Sequence, residues 1–452
     1  MSKKAEQRLR GSAEVGFRKP KRRFETCPPG SRGSASLPGQ GRTLIWFAQP
    51  HSTWILRTRR VTKVPFFDLK KQFIPLRDEI LDEIAAVCDD QAFILGAKVE
   101  LLENEIVSVC GGGYAIGASS GTDAQTLILM ALGIGAGDAV VTTPFTFFST
   151  AGCIARLGAR PVFVDIDPET FNLSPARLEE FFTTECRSQG ETVRTRSGLL
   201  VKAVIPVHLF GLCCEMDEIQ AICGRYGVPV IEDAAQAIGA EYPSKQATKR
   251  AGGITEFGYL SFYPTKNLGA FGDAGMATTR HAWMADRLKV LRNHGIESKY
   301  HHEFVGGNFR LDALQAAILL KKLPHLVRWS QRRWVIAQHY RAELADLEPD
   351  LRLPGEPFGK VLAERGHIYH QFVVRVTRRE ELRAYLRGCG IGTEIYYPVS
   401  LNRQKCFAYL EAGSFPEAEA AAEQVLALPI FPELTDGEVQ LVADAIAAFF
   451  KE

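Results

Sequence analysis

From residue 64 to about 324 the chain alternates short apolar runs with helix-period segments, and this alternation limits the fold more than any other feature. "AIGASSGTDAQTLILMALGIG" reads as strand, turn and helix, and "AVVTTPFTFFSTAGCIARLG" repeats that order. "PVFVDID", "AVIPVHLFG" and "GVPVIEDAAQAIGA" continue it, the last as a β-rich run followed by an alanine-rich helix. The runs do not alternate with polar residues, as expected for strands buried on both faces. A mostly parallel sheet with helices on both sides follows, an α/β class. In such sheets ligands gather beyond the carboxyl ends of the strands.

After Pro324 the pattern changes. "RLDALQAAILLKKLPHLVRW" is a long helix over 311–323 that Pro324 bends or ends. "HQFVVRV" and "GTEIYYPV" read as strands separated by a helix. In the closing helix Thr435 and Glu438 form a capping box, with Val439, Val442, Ile446 and Phe449 on one apolar face. The expected division is a large domain over 64–325 and a small α+β domain over 326–452. The polar stretch 185–198 reads as a surface loop.

Residues 1–60 hold 14 Lys and Arg against 3 Asp and Glu, a net of +11, leaving 40 against 49 and a net of −9 for the remainder. The acidic body gives no case for nucleic-acid binding. The leader is rich in Gly, Pro and Ser, a composition expected to be disordered. A nucleic-acid arm and a transit peptide are alternatives. The preferred reading gives it no role: "VTKVPFFDLKKQF" reads like a natural start at Val61. No apolar run reaches the ~18 residues of a membrane span. The ten cysteines show no C-x-x-C spacing, so neither a zinc site nor a disulfide framework is expected, and the compartment is read as cytoplasmic.

Four strand ends carry chemistry. "ASSGTDAQTL" places Gly121 and Thr122 at a strand-to-helix turn, where free N–H groups and hydroxyls suit phosphate; helix capping is the plainer alternative. Asp233 ends "VPVIED" and could hold a protonated heteroaromatic nitrogen or cap a helix. "TPFTFFST" offers Phe147 as a stacking face, or simply as core. "SFYPTKNLGAFGDAG" sets Lys266 between an aromatic run and three spaced glycines. An amine desolvated there has a lowered pKa and is nucleophilic. Schiff-base chemistry with pyridoxal phosphate uses all four features together. "GIGAGD", residues 133–138, follows a helix and is no dinucleotide loop.

In this order "SGTDA", "TPFTFF", "IPVHLFG", "VIEDAAQA", "SFYPTKNLGAFGDAG", "RNHG", "GGNFRLDALQAAIL" and "YYPVSLN" resemble the DegT/DnrJ/EryC1/StrS family of pyridoxal-phosphate sugar aminotransferases. The resemblance spans Val64 to the C-terminus. Within the family it is most similar to enzymes that aminate the 3-keto carbon of UDP-linked N-acetylhexosamine uronates. It implies the aspartate-aminotransferase fold (fold type I) and a homodimer with shared active sites. It further implies that Lys266 binds the cofactor covalently and shuttles the proton, and that Asp233 holds the pyridine nitrogen. Gln236 would lie near the phenolic oxygen and Phe147 would stack on the ring. Thr122 and Ser261, with the Gly121 backbone, would bind the phosphate, and Asn308 would reach the neighbouring subunit's phosphate. Tyr396 and Tyr397 would lie near a nucleotide-linked keto-sugar, with L-glutamate as amine donor.

Two departures concern substrate preference: Leu212 stands where glutamine is usual, and the 185–198 stretch is longer than usual. A sugar dehydratase on the same fold would carry histidine at position 266. A non-catalytic cofactor-binding regulator is the alternative from another class.

Overall fold

The computed structural model describes residues 64–452 apart from 191, 299 and 452. Ahead of residue 64 it describes only three short strands, Gly33–Ser36, Arg42–Trp46 and Arg59–Arg60, paired antiparallel. The readings of the leader's role lie outside the described residues. Met1–Thr62 and Lys63–Glu452 are separate compact units.

Seven strands build the central sheet of the second unit. Tyr114–Ala118, Gly275–Thr279, Phe257–Ser261 and Ile231–Asp233 lie side by side. The bridges Val204–Val230 and Val207–Asp233 join them to Leu200–Ile205, Asp138–Thr142 and Arg160–Phe163. All run parallel except Gly275–Thr279, which is antiparallel to both neighbours. The mostly parallel α/β expectation therefore holds, with one reversed strand.

Successive strand residues alternate between two cores. Ile116, Val140, Ala203, Ile231 and Ala277 pack with the helices Gly121–Ala131 and Ala282–Arg292. Ala115, Val141, Val204, Val230 and Met276 pack with Ala97–Cys110, Met216–Arg225 and Ala313–Lys322. Both faces are covered, so the runs are apolar without a polar alternate. Each of the Val, Ile and Met side chains among these contributes roughly 1.5–3 kcal/mol by leaving water, and each Ala less.

The C-terminal part has its own antiparallel sheet of Leu351–Arg352, Phe372–Val376 and Val425–Leu428, packed with the helices Leu326–Leu344, Arg379–Gly388 and Asp436–Lys451. The capping box is formed: Thr435 N donates to Glu438 Oε2 at 2.9 Å, and Glu438 N to Thr435 Oγ1 at 3.2 Å. Pro324 sits in the short 3-10 turn Leu323–His325 between two helices, the first of which starts at Ala313 rather than 311.

Three expectations fail. Residues 185–198 contain a β-hairpin, Cys186–Gln189 against Thr192–Thr195, not a loop alone. It extends the sheet beside Leu200, so backbone pairing outweighs its polar composition. Residues 234–240 form turns instead of a helix. Asp233 Oδ1 accepts from Ala235 N at 3.1 Å, and Gln236 Oε1 from Phe210 N at 2.8 Å, local and tertiary bonds that override alanine's helix preference. "GTEIYYPV" holds only one isolated bridge, at Glu394, with another at Ile391 just before it.

Candidate active site

Four strands, Tyr114–Ala118, Asp138–Thr142, Ile231–Asp233 and Phe257–Ser261, release their chains at one sheet edge, and candidate residues end or follow each. Past Tyr114–Ala118, Ser120 caps the helix Gly121–Ala131, accepting from Asp123 N at 3.0 Å. The next N–H groups inward, at Gly121 and Thr122, have no hydrogen-bond partner among the described residues. Neighbouring chain closes tightly on this turn. A Cβ on Gly121 would lie 2.7 Å from Ser261 Cβ, and one on Gly275 would lie 2.3 Å from the Ser120 carbonyl. Two free N–H groups at a helix start, flanked by the hydroxyls of Thr122 and Ser261, suit a phosphate.

Asp233 closes its strand at 4% exposure. Thr150 Oγ1 donates to its Oδ2 at 2.9 Å, and Ala235 N to its Oδ1. Thr150 is itself placed by Gln125, whose Nε2 donates to the Thr150 carbonyl at 2.8 Å. Tyr259 pairs in register with Asp233 on the adjoining strand. Burial, and then the Asp233 charge, push its phenol well above its usual pKa.

Lys266 follows the strand Phe257–Ser261 through a turn in which its N–H donates to Tyr263 O at 2.8 Å. The turn needs Gly269, because a Cβ there would lie 2.2 Å from the Pro264 carbonyl. The side chain is partly exposed, yet its amine is surrounded by protein. Desolvation lowers its pKa to about 8, against the opposing pull of Asp233. A nucleophilic amine is thus supplied by burial.

Gln236 lies 26 residues beyond Phe210 yet accepts its N–H, and donates from Nε2 to Tyr397 OH at 3.1 Å. The Tyr397 ring lies 6.4 Å from Phe147 and 6.1 Å from Phe145. Phe145 is fully buried, whereas Phe147 is 55% exposed, a face open to the cleft. Gly121, Thr122, Phe147, Asp233, Gln236, Ser261, Lys266 and Tyr397 are thus gathered at one edge. Tyr396 adjoins this group, its ring 5.8 Å from that of Tyr397 and 6.1 Å from that of Phe66. One candidate stands apart. Asn308 is exposed, and its side chain has no hydrogen-bond partner among the described residues. It does not cap the following helix, whose N-cap is Asp312. Leu212 is buried, and its carbonyl accepts from Asn172 Nδ2 at 3.0 Å.

Thr150, Gln125, Asn267 and His370 were not legible as site residues. Each is a common residue in an apolar or mixed stretch, and only tertiary packing brings it to the edge.

The model of the DegT/DnrJ/EryC1/StrS aminotransferase family matches residues 75–447. The chain belongs to this family. It is a pyridoxal-phosphate-dependent transaminase with the fold of its structural neighbours. It is 44% identical over 391 residues to a pleiotropic regulatory protein of Geobacillus stearothermophilus, covering 86% of this chain and 99% of that one. It is 40% identical to a UDP-N-acetyl-3-dehydro-alpha-D-glucosamine 3-aminotransferase of Acidithiobacillus ferrooxidans, covering 85% and 97%. A UDP-2-acetamido-2-deoxy-3-oxo-D-glucuronate aminotransferase of Pseudomonas aeruginosa is 38% identical, covering 85% and 99%. Among solved structures, S. venezuelae DesV in complex with a ketimine intermediate matches with a TM-score of 0.78 at 38% identity, covering 86% and 99%. No helix among the described residues is long and apolar enough to cross a membrane.

The donor set fits this cofactor: a phosphate-ready turn, a carboxylate fixed at both oxygens, an open aromatic face and a desolvated amine share one edge.

Proposed function

We propose that this transaminase moves an amine from L-glutamate to a keto carbon of a nucleotide-linked sugar, in the biosynthesis of a surface polysaccharide or secondary metabolite. The observation that carries this reading is the desolvated Lys266 amine sharing its cleft with Asp233. The names of the relatives supply the substrate class, and a 3-keto UDP-sugar is the preferred acceptor.

Lys266 would hold the cofactor covalently, and Asp233 would pair with its pyridine nitrogen. Gly121, Thr122 and Ser261 would hold the phosphate, with Phe147 as the aromatic face for the ring and Gln236 for the phenolic oxygen. When bound, the cofactor supplies an electron sink for the carbon that loses its proton. The Lys266 amine would take that proton and return it on the acceptor side; its pKa of about 8 suits both duties near neutral pH. Asp233 stabilises the positive pyridine nitrogen and so lowers the barrier electrostatically. Thr150 and Ala235 hold the carboxylate in one plane, so little reorganisation is needed. Tyr396 and Tyr397 line the sugar side. Two copies associate as a dimer, and Asn308 of each reaches the phosphate site of the other.

The test is a two-stage assay. L-glutamate should bleach the visible band of the lysine-bound cofactor and release 2-oxoglutarate. A 3-keto UDP-N-acetylhexosamine should then restore the band and yield the 3-amino sugar. No 2-oxoglutarate from glutamate removes the donor assignment. Amination of neither UDP- nor dTDP-linked keto-sugars removes the substrate class.

A further inference from the structure

The 3-10 turn Leu209–Gly211, with His208 as its N-cap, follows the strand Leu200–Ile205. Within it Phe210 has a φ of +57°, the left-handed region that costs a non-glycine residue conformational energy. Asn172 holds the turn in this shape. It is 3% exposed and lies in the loop after the strand Arg160–Phe163. Its Oδ1 accepts from Leu209 N and its Nδ2 donates to Leu212 O, both at 3.0 Å. One carboxamide thus closes the turn from both ends. The clamp uses the backbone of Leu212, so the identity of that side chain does not enter. His208 backs the same turn onto the sheet. Its N donates to Asp233 O at 3.0 Å, its Nδ1 accepts from Cys214 N at 3.2 Å, and its Nε2 meets the buried Glu232 carboxylate at 3.2 Å.

The turn delivers one backbone N–H to the site. Phe210 N donates to Gln236 Oε1 at 2.8 Å. A backbone N–H can only donate, so it decides which end of the Gln236 carboxamide lies against the turn. The amide nitrogen then lies on the Tyr397 side, where Phe147 opens to the cleft. One of its two hydrogens goes to Tyr397 OH, 3.1 Å away. The second has no partner among the described residues. With the amide reversed, its oxygen would face the cleft instead and repel a phenolate oxygen placed there.

We propose that Asn172 is a positioning residue for Gln236: by clamping the turn that carries Phe210, it holds the Phe210 N–H on the Gln236 oxygen and so keeps the amide N–H2 facing the cleft as a donor to the cofactor's phenolic oxygen. The proposal rests on the assignment of Gln236 to that oxygen. A donor there stabilises the oxygen's negative charge and lowers the proton affinity of the cofactor-bound Lys266 nitrogen beside it.

The test compares wild type with Asn172→Leu, which removes both bonds at similar size, and Asn172→Asp, which keeps the acceptor for Leu209 N and loses the donor to Leu212. The first readout needs no cofactor: hydrogen exchange at the Phe210 amide in the apoprotein, resolved by fragmentation mass spectrometry. Exchange should speed up about tenfold or more in Asn172→Leu, and less in Asn172→Asp. The second readout is the pH midpoint at which the holoprotein loses the visible band of the lysine-bound cofactor. It should rise by roughly one unit in Asn172→Leu, because the phenolic oxygen loses its donor. Gln236→Leu should raise it as far, and adding Asn172→Leu to Gln236→Leu should raise it no further. If Asn172→Leu does not fold, Asn172→Asp carries both readouts, with a smaller rise. Faster exchange with an unchanged midpoint would leave Asn172 a stabiliser of the turn alone and overturn the proposal. Unchanged exchange overturns it as well, and so does a rise that adds in full to that of Gln236→Leu. If Gln236→Leu itself keeps the wild-type midpoint, the assignment of Gln236 to the phenolic oxygen is refuted, and the proposal falls with it.

Discussion

Thr150 donates its hydroxyl to Asp233 across 2.9 Å at a position closed to solvent. The bond fixes the carboxylate that the pyridine nitrogen is proposed to meet. Thr150→Val preserves the shape of the side chain but leaves one carboxylate oxygen without its donor. Such a loss costs about 1–3 kcal/mol. Both kcat and cofactor affinity should fall about tenfold or more, whereas Thr150→Ser should stay within a few-fold of wild type. Equal titration of apoprotein by cofactor in Thr150→Val and wild type would show that the hydroxyl does not support the site.

Gly275 opens the reversed strand against the phosphate turn. Its Cβ would lie 2.3 Å from the carbonyl carbon of Ser120 and 2.5 Å from Gly121 N, both backbone atoms that cannot swing aside. Gly275→Ala must therefore move the turn or the strand. Overpacking of this kind costs about 1–3 kcal/mol. The expected result is a lower melting temperature together with weaker cofactor binding, read by calorimetry and equilibrium dialysis. Wild-type cofactor affinity in this variant would contradict the placement of the phosphate.

Lys322 is 3% exposed and donates to the Gly269 carbonyl at the far side of the lysine loop, with Phe271 and Trp329 near its amine. Burial lowers its pKa to about 8, with Glu433 opposing. The folded protein thus releases this proton near pH 8, whereas an unfolded lysine does so near 10.4. Between those values the unfolded chain binds more protons, so this group makes stability rise with pH. The full difference is worth about 3 kcal/mol. Urea unfolding of wild type and Lys322→Met at pH 7.5, 9 and 10.5 isolates it: wild type should gain stability relative to the variant as pH rises. A constant difference, or one that moves the other way, would contradict a buried charged amine at neutral pH.

Asn308 supplies the test of a site shared between subunits. Lys266→Ala and Asn308→Asp are each expected to be inactive. When subunits exchange, a heterodimer carries both lesions in one site and leaves the other intact. Activity per heterodimer should then recover towards half that of wild type. Confirmed exchange without recovery would place the action of Asn308 within its own chain or remove it altogether.

The sheet and its functional edge were legible because their signals are local. Apolar runs such as "AVVTT" and "AVIPV" announce strands buried on both faces, and Asp233, Gly121 and Lys266 each stand just past one. The reversal of Gly275–Thr279 was not legible, since strand direction is set by connections and leaves no mark on composition. Residues 234–240 misled because an alanine-rich segment favours a helix until Gln236 is drawn to Phe210 and Tyr397. Cys186–Gln189 and Thr192–Thr195 were read as loop because polar residues hide the pairing of their backbones. His370 and Asn267 are 103 residues apart, and nothing in either neighbourhood announces that they meet.

Reduction of the holoenzyme with borohydride, followed by peptide mass spectrometry, shows which lysine carries the cofactor. Loss of the visible band and a phosphopyridoxyl group fixed on Lys266 are expected, with neither seen in Lys266→Ala. Fixation on another lysine, or transamination by Lys266→Ala at the wild-type rate, would contradict the assignment of Lys266.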